Sequence, residues 1–220
     1  MTTKIGHLLP EILERLRPLI VDEAKSAAWD RGQWEQRVKR IGLPSDFEAA
    51  VLGGMDLRGQ RLGESRPRAR LRELKPHHRL VVLSGPPGTG KSMAAALWAS
   101  ERPNARWGTS AEVGRQLLEA EWKKDPALTH EMRCRWYRPM SLVIDDAGLG
   151  ESAAHPMALE DLMVNRYAEG LMTLVTCNLT RDAFGERYGA RIFSRLGEAG
   201  AYIACNDVLR YAPQLKAAQP

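Results

Sequence analysis

An eight-residue run at 85–92 is the clearest chemical signal in the sequence. It matches the pattern G-x-x-x-x-G-K-[ST], a loop that wraps the phosphates of a nucleoside triphosphate. Its residues are Gly85, Pro86, Pro87, Gly88, Thr89, Gly90, Lys91 and Ser92. The glycines let the backbone turn tightly and aim its N–H groups at phosphate oxygens. Lys91 is predicted to reach the β- and γ-phosphates and Ser92 to ligate Mg²⁺, so ATP and Mg²⁺ are the expected cofactors.

The segments on either side of this loop are the elements that such a loop requires. Residues 79–84 are apolar and β-branched over the length of a strand. Residues 92–99 are rich in alanine and favour a helix. A helix that begins directly after the loop adds partial positive charge where the phosphates would lie.

Polar side chains also follow two other apolar runs. Asp145 and Asp146 come after residues 141–144, and Asn178 comes shortly after residues 171–176. Ligands of an open parallel sheet bind at the carboxyl ends of its strands. We therefore expect Asp145 to hold the metal, directly or through water, and Asp146 to orient or polarise the attacking water. The Asn178 amide can donate to phosphate without competing for Mg²⁺, although by residue type all three could be polar turn residues.

A later segment, 187–196, contains three arginines. Arg191 and Arg195 are four residues apart and would share one face of a helix. A guanidinium can bind phosphate bidentately and stabilise charge in a transition state. From the spacing alone, a solvated helix surface is favoured over a phosphate-binding role for these arginines.

The alternation of apolar runs and helical patterns predicts an α/β fold with a parallel sheet flanked by helices. The predicted strands are 80–84, 105–109, 141–145, 171–176 and 201–205. The predicted helices lie near 91–101, 110–123, 155–168, 181–187 and 189–196. We divide the chain into a small helical N-terminal partner-binding region (1–54), a basic linker (55–78), the core (79–213) and a flexible tail (214–220).

Composition sets broad limits on the function. The chain has 220 residues, 44% of them hydrophobic, and a net charge of +5, which suits a polyanionic partner. Arginines are concentrated between residues 58 and 75, where they fit either a solvated linker or a phosphate-contacting segment. No apolar run is long enough to span a membrane. Three dispersed cysteines, Cys134, Cys177 and Cys205, predict reduced thiols in a cytoplasmic protein.

Four segments together resemble the DnaC/IstB-like branch of the AAA+ ATPases. They are GPPGTGKS (85–92), LVIDDAG (142–148), NRYAEGLMTLVTCNL (165–179) and ERYGARIFSRL (186–196). The resemblance covers about residues 79–211 and implies a P-loop NTPase (AAA+) core. The first segment is common to many nucleotide-binding proteins, whereas the combination with the other three is far more specific.

The resemblance implies a role for each matching residue. Lys91 and Ser92 correspond to the Walker A lysine and hydroxyl, and Asp145 and Asp146 to the Walker B pair. Asn178 corresponds to sensor 1. Arg195 corresponds to an arginine finger that acts on ATP bound to a neighbouring subunit, with Arg191 as the alternative, and Arg210 resembles a terminal arginine of this branch. Such a finger implies a head-to-tail homo-oligomer, either a ring or a spiral.

By the same resemblance, we expect a helicase loader of DNA replication that hydrolyses ATP. It would bind single-stranded DNA and would dock a DnaB-type helicase through residues 1–50. Trp122, Trp136 and Tyr137 lie in a basic stretch and are candidates for base stacking, although core positions are the favoured interpretation for them. An IstB-like transposition ATPase that assembles on duplex DNA is an alternative. A nucleotide-switched adaptor with little hydrolysis is another, because Asp146 stands where many AAA+ proteins have the longer glutamate.

Overall fold

The computed structural model describes residues 30–54, 65–148 and 155–206. Contacts divide the chain into two compact units, Met1–Arg37 and Val38–Pro220. Of the first unit, only residues 30–37 are described, and they are helical. Arg210 and the predicted tail at 214–220 lie outside the described residues, as does most of the predicted partner-binding region.

The described part of the second unit is built on a five-stranded parallel sheet with the strand order β2-β3-β4-β1-β5. The strands are β1 Leu80–Ser84, β2 Ala105–Thr109, β3 Ser141–Ala147, β4 Met172–Cys177 and β5 Gly200–Ala204. Because every pairing is parallel, the carboxyl ends of all these strands lie along one edge of the sheet. Polar residues at these ends are thereby brought to the same side of the molecule.

Helices cover both faces of this sheet. They are α2 Ser45–Gly53, α3 Arg66–Arg72, α4 Lys91–Ser100, α5 Ser110–Lys123, α6 Pro126–Met132, α7 His155–Ala168, α8 Arg181–Tyr188 and α9 Ala190–Ala199, and they are preceded in the described chain by α1 (30–41). A π-helical turn, Arg133–Tyr137, follows α6. Helices α2 and α3 pack on α4, which lies against the sheet, while α5 and α7 to α9 pack on the opposite face. None of the described helices is long and apolar enough to cross a membrane.

The two faces of β1 show why this arrangement is stable. Leu80 and Val82 join the core formed with α5 and α7 to α9, whereas the alternating Val81 and Leu83 face the other way. All four side chains are buried. The second face is covered by α4, whose small residues from Ala94 to Ala96 are also buried and permit close packing on the sheet.

The predicted α/β class and the parallel sheet are confirmed. Strands β1 and β2 and helices α5 and α7 have the predicted bounds, while β3 continues two residues beyond the predicted end, to Ala147. Helix α6 and the π-helical turn were not predicted. The segment 66–72, which we assigned to the basic linker, is the helix α3, with Ser65 as its N-cap.

Residues 38–54, which we assigned to the N-terminal region, contact the sheet through β2. The Arg106 guanidinium donates to the Arg40 carbonyl over 2.6 Å. The rings of Phe47 and Trp107 lie 5.9 Å apart. By its contacts, the second unit therefore begins at Val38, whereas we predicted that the N-terminal region extends to residue 54.

Candidate nucleotide-binding and hydrolysis site

The phosphate-binding loop connects the carboxyl end of β1 to the start of α4. Gly85, Gly88 and Gly90 all have positive φ angles, of 153°, 81° and 83°. A Cβ on Gly85 would collide with the carbonyl oxygen of Cys205, which follows β5. Gly90 is the N-cap of α4, and a Cβ there would meet nothing within 4 Å. The loop is thus packed tightly where it leaves the sheet and open where it meets the helix.

Lys91 lies inside this loop. Its ammonium donates to the carbonyl oxygens of Gly85 over 2.7 Å and Pro86 over 2.9 Å. The Thr89 hydroxyl donates to the Pro86 carbonyl over 3.0 Å. Burial lowers the pKa of Lys91, and the carboxylate of Asp145 acts against that change. The positive charge is therefore fixed at the centre of the loop by main-chain oxygens.

Asp145 faces the same place from the neighbouring strand β3. Asp145 is only 7% exposed, and the Ser92 hydroxyl lies close enough to lower the pKa of its carboxyl. Thr176 on β4 donates to Asp145 Oδ1 over 2.5 Å. Burial raises the pKa of Asp145, while the Thr176 and Ser92 hydroxyls lower it. The Ser92 hydroxyl and the Asp145 carboxylate are hard oxygen ligands, which is the donor type that Mg²⁺ binds.

Asp146 lies at an irregularity of the sheet. The register between β3 and β4 shifts between Ile144 and Ala147, and Asp146 adopts a left-handed φ of 57°. Its amide donates to Thr176 Oγ1 over 3.0 Å. Its side chain is exposed, and its charge acts on the pKa of Lys91. The bulge thus turns Asp146 out of the strand at the edge that carries the loop.

Asn178 follows the last residue of β4. The carbonyl of the preceding residue, Cys177, accepts a hydrogen bond from the Gly85 amide over 3.2 Å. Asn178 is exposed at this position. The fold therefore brings the Walker A, Walker B and sensor-1 candidates to one edge of the sheet.

Arg195 lies elsewhere. Near it, the main chain at the end of α9 runs beside the start of β1: the Arg79 amide donates to the Ala199 carbonyl over 2.9 Å. Arg195 Nη1 lies 3.0 and 2.9 Å from the two carboxylate oxygens of Glu198, and its Cζ lies 5.1 Å from the centre of the Tyr167 ring. Arg195 is thus at the amino edge of the sheet, opposite the loop of its own chain.

Arg191, the alternative finger, has a different partner from Arg195. Its Nε donates to Glu160 on α7 over 2.9 Å. Gly189, at the N-cap of α9, has a φ of 92°, and a Cβ there would lie 2.8 Å from Glu160 Oε1. The start of α9 therefore packs closely on the α7 carboxylate that binds Arg191.

The aromatic residues proposed for base stacking differ in exposure. Trp136 is fully buried, which agrees with the favoured core position and makes it unavailable for base stacking, and Tyr137 is half-buried. Trp122, in the last turn of α5, is 87% exposed. Lys123 and Lys124 follow it directly.

Arg166 is a structural residue that sequence reasoning missed. It is completely buried on α7, and its Nε donates to Thr173 Oγ1 over 3.0 Å. Its other donors reach the carbonyl oxygens of Trp136, Tyr137, Pro139 and Met172 at 2.8 to 3.1 Å. Burial lowers the pKa of Arg166 to about 10. The side chain ties the π-helical turn to β4, and no motif signals such a role.

Solved structures with a similar fold include proteins named for DNA replication. The DnaC helicase loader is 17% identical, with a TM-score of 0.50 over 63% of this chain and 85% of that one. A DNA replication initiation factor is 16% identical, with a TM-score of 0.51 over 63% and 43%. The replication initiator DnaA bound to AMPPCP and single-stranded DNA is 14% identical, with a TM-score of 0.51 over 65% and 47%.

The chain has a DnaC-like AAA+ fold. It spans less than half of the initiation factor and DnaA chains. A scan against protein-family models gave no match, and a search of curated proteins gave none either. The AAA+ fold explains why the loop after β1 and the ends of β3 and β4 meet, because these strands are neighbours at its centre.

Proposed function

We propose that the protein is an ATP-hydrolysing helicase loader of DNA replication that binds single-stranded DNA and a DnaB-type helicase. The observation that carries the ATPase activity is that Asp145, at the end of β3, interacts with both the buried Lys91 and the Ser92 hydroxyl of the loop. The two residues that AAA+ chemistry needs at the metal therefore lie close together, although they belong to different elements.

In this proposal, ATP binds by exchange of partners within the loop. Lys91 releases the carbonyls of Gly85 and Pro86 and binds the β- and γ-phosphates. The loop amides and the N-terminus of α4 supply further positive potential. The open space beside Gly90 leaves room for phosphate oxygens to approach the main chain.

Ser92 and Asp145 would hold Mg²⁺. When bound, the ion neutralises phosphate charge and orients the triphosphate. Asp145 must be ionised for this role. The Thr176 and Ser92 hydroxyls favour the ionised form and act against the effect of burial on the pKa.

The hydrolytic step requires groups beyond this metal site. Asp146 would accept a hydrogen bond from the attacking water and polarise it, while Asn178 would donate to the γ-phosphate. Arg195 would stabilise the transition-state charge in a neighbouring subunit. Its location at the amino edge supports action in trans, since the loop of the same chain lies at the opposite edge. A head-to-tail ring or spiral would bring the two edges together.

The partners are inferred from the fold and from the surface of α5. The fold is shared with a helicase loader and with DnaA bound to single-stranded DNA. The exposed Trp122 beside Lys123 and Lys124 combines a stacking ring with cations, as single-strand-binding surfaces do. Helix α3 is a weaker candidate for phosphate contacts, since several of its arginines form ion pairs. Arg68 and Arg72 pair with Glu101, and Arg70 pairs with Glu73. We assign helicase docking to residues 1–54.

Incubation with a replicative hexameric helicase tests the loader function. We expect a complex whose stability changes between ATP and ADP, and ATP turnover that changes with single-stranded DNA. Absence of a complex in every nucleotide state would exclude loading. Filaments on duplex DNA would instead indicate a transposition ATPase, and ATP binding without turnover a nucleotide-switched adaptor.

Trp122 provides a separate test of DNA binding. Trp122→Ala should weaken the binding free energy for single-stranded DNA by about 1–3 kcal/mol, which is the contribution of one base stacked on an aromatic ring. The salt dependence should stay unchanged because no charge is removed. Met157→Ala, an exposed apolar position on α7, is the control. Equal affinity of the Trp122 variant and the unaltered protein would remove α5 from the DNA-binding surface.

A further inference from the structure

One threonine hydroxyl contacts both acidic residues of the site. Thr176 is 1% exposed on β4, two residues before Asn178. Its Oγ1 donates to Asp145 Oδ1 over 2.5 Å and accepts the Asp146 amide over 3.0 Å. A hydroxyl has one proton and two lone pairs, so it can make both hydrogen bonds at the same time. The two bonds bridge β4 to consecutive residues of β3.

These bonds occur where the regular ladder is broken. Between Ile144 and Ala147 the register of β3 on β4 shifts. The Thr176 side chain receives the amide of Asp146 at this break. On the other side of β3, the Ser110 hydroxyl donates to the Asp146 carbonyl over 3.0 Å. Both main-chain groups of Asp146 are therefore bound by side-chain hydroxyls from neighbouring elements.

The conformation that these hydroxyls hold is unfavourable for most side chains. Asp146 has a φ of 57°, in the left-handed region that non-glycine residues visit only rarely. Aspartate tolerates this region better than most residues, but the conformation still requires support from its surroundings. This conformation turns the carboxylate out of the sheet. A short acidic side chain such as aspartate can therefore extend beyond the end of the strand.

We propose that Thr176 is a positioning residue of the ATPase site, which orients the metal-binding carboxylate of Asp145 and holds the bulge that presents Asp146. The inference rests on the proposed ATPase function. Thr176 would itself contact neither nucleotide nor metal. Because it lies on β4, which Asn178 directly follows, it also fixes the spacing between the sensor-1 candidate and both acids.

Two substitutions at Thr176 separate its hydroxyl from its volume. Thr176→Val keeps the shape and removes both hydrogen bonds, whereas Thr176→Ser keeps the hydroxyl. Thr173→Val is the matched control, since Thr173 is equally buried on β4 but its hydroxyl binds Arg166. Binding of a fluorescent ATP analogue is titrated with Mg²⁺ for each variant, alongside turnover and the thermal midpoint.

For Thr176→Val, we expect the Mg²⁺ concentration at half-saturation to rise about tenfold or more, the range seen when groups behind a metal ligand are removed. Nucleotide affinity without Mg²⁺ should change little, and kcat should fall more than KM rises. Thr176→Ser should behave as the unaltered protein does. Thr173→Val should lower the thermal midpoint and leave the Mg²⁺ dependence unchanged. If Thr176→Val does not fold, Thr176→Ala is measured in the same way.

Unchanged Mg²⁺ dependence and turnover in the hydroxyl-free variant would overturn the inference. An equal shift in Thr173→Val would also overturn it, because the effect would then follow from general loosening of β4. Lys91→Ala and Asp145→Asn report on the proposed function separately. If these two variants keep full activity, the proposed ATPase site is wrong. If they are inactive while Thr176→Val is unaffected, only the positioning role of Thr176 is rejected.

Discussion

The two edges of the sheet hold their charged residues in different ways. At the carboxyl edge, Lys91 and Asp145 are buried and fixed by main-chain carbonyls and hydroxyl groups. At the amino edge, Arg195 has a side chain that is 37% exposed, paired with the exposed Glu198. Exposed ion pairs contribute little to stability, so Arg195 can exchange its partner readily. The comparison indicates a preformed phosphate site at one edge and an adaptable cation at the other.

The largest effect is expected from the preformed edge. Lys91→Ala should abolish detectable ATP binding and turnover, because the buried ammonium is the cation fixed inside the loop. Turnover and equilibrium binding of a labelled nucleotide measure both losses. The thermal midpoint without nucleotide should fall because the carbonyls of Gly85 and Pro86 lose their donor, so circular dichroism is used to check that the variant remains folded. Retention of turnover would mean that the loop does not bind the triphosphate.

Removal of the adaptable cation should affect turnover alone. Arg195→Ala should lower turnover about 10³-fold, the lower range for an arginine finger, while ATP binding in the same chain persists. Mixing this variant with Lys91→Ala should restore part of the activity. At one kind of mixed interface, the Arg195→Ala chain supplies an intact loop and the Lys91→Ala chain supplies an intact arginine. Arg191→Ala, one turn earlier on α9, is the control.

The arginine variants also test whether the two edges of the sheet have the different roles proposed here. If Arg195→Ala keeps its turnover while Arg191→Ala is inactive, Arg191 is the finger. If neither arginine variant loses turnover, neither arginine acts on a neighbouring site. The amino edge would then carry only surface ion pairs, such as those of Arg191 with Glu160 and Arg195 with Glu198.

The buried Arg166 stabilises the structure near the amino edge of the sheet. It directly precedes Tyr167, whose ring lies beside the Arg195 guanidinium. Arg166→Met should destabilise the protein by about 3 kcal/mol or more, because several buried carbonyls would lose their donor. This corresponds to a fall of about 6–12 °C in the thermal midpoint. Arg133→Met, at an exposed position of the π-helical turn, should change the midpoint little. Equal midpoints for the two variants would show that the buried guanidinium is dispensable.

The sequence predicted those parts of the fold that depend on local patterns. The loop at 85–92 is defined by glycine conformations and by a lysine and a serine at fixed spacing, so its geometry is local. Strands β1 and β3 are continuous apolar runs because both of their faces are buried. The end of a strand then predicts where Asp145 and Asn178 lie.

Other features depend on distant contacts and escaped prediction for that reason. The hydroxyl of Thr176 matters because β4 pairs with β3, a neighbour about 30 residues away in sequence. The bulge at Asp146 depends on bonds to Thr176 and Ser110, which no local pattern encodes. Helix α3 lies in an arginine-rich segment that reads as a linker, and it packs on α4.

The smallest effect concerns the stability of the preformed edge. Burial raises the pKa of Asp145, so the folded state binds this proton more tightly than the unfolded chain does. The contribution of Asp145 to the free energy of unfolding is therefore fully present below its ordinary pKa and is lost as pH rises through the raised value. Asp145→Asn should remove this loss and raise the thermal midpoint at neutral pH by a few degrees, although it abolishes turnover.

Asp146→Asn is the control for this substitution, because the side chain is exposed and asparagine also tolerates a left-handed φ. Its midpoint should match that of the unaltered protein at neutral pH. Scanning calorimetry from about pH 4 to pH 8 measures the difference between the two variants, which should shrink as the pH falls. A lower midpoint for Asp145→Asn would mean that the ionised carboxylate stabilises the fold through Lys91. The carboxyl edge would then be held by paired charges rather than by hydroxyl hydrogen bonds.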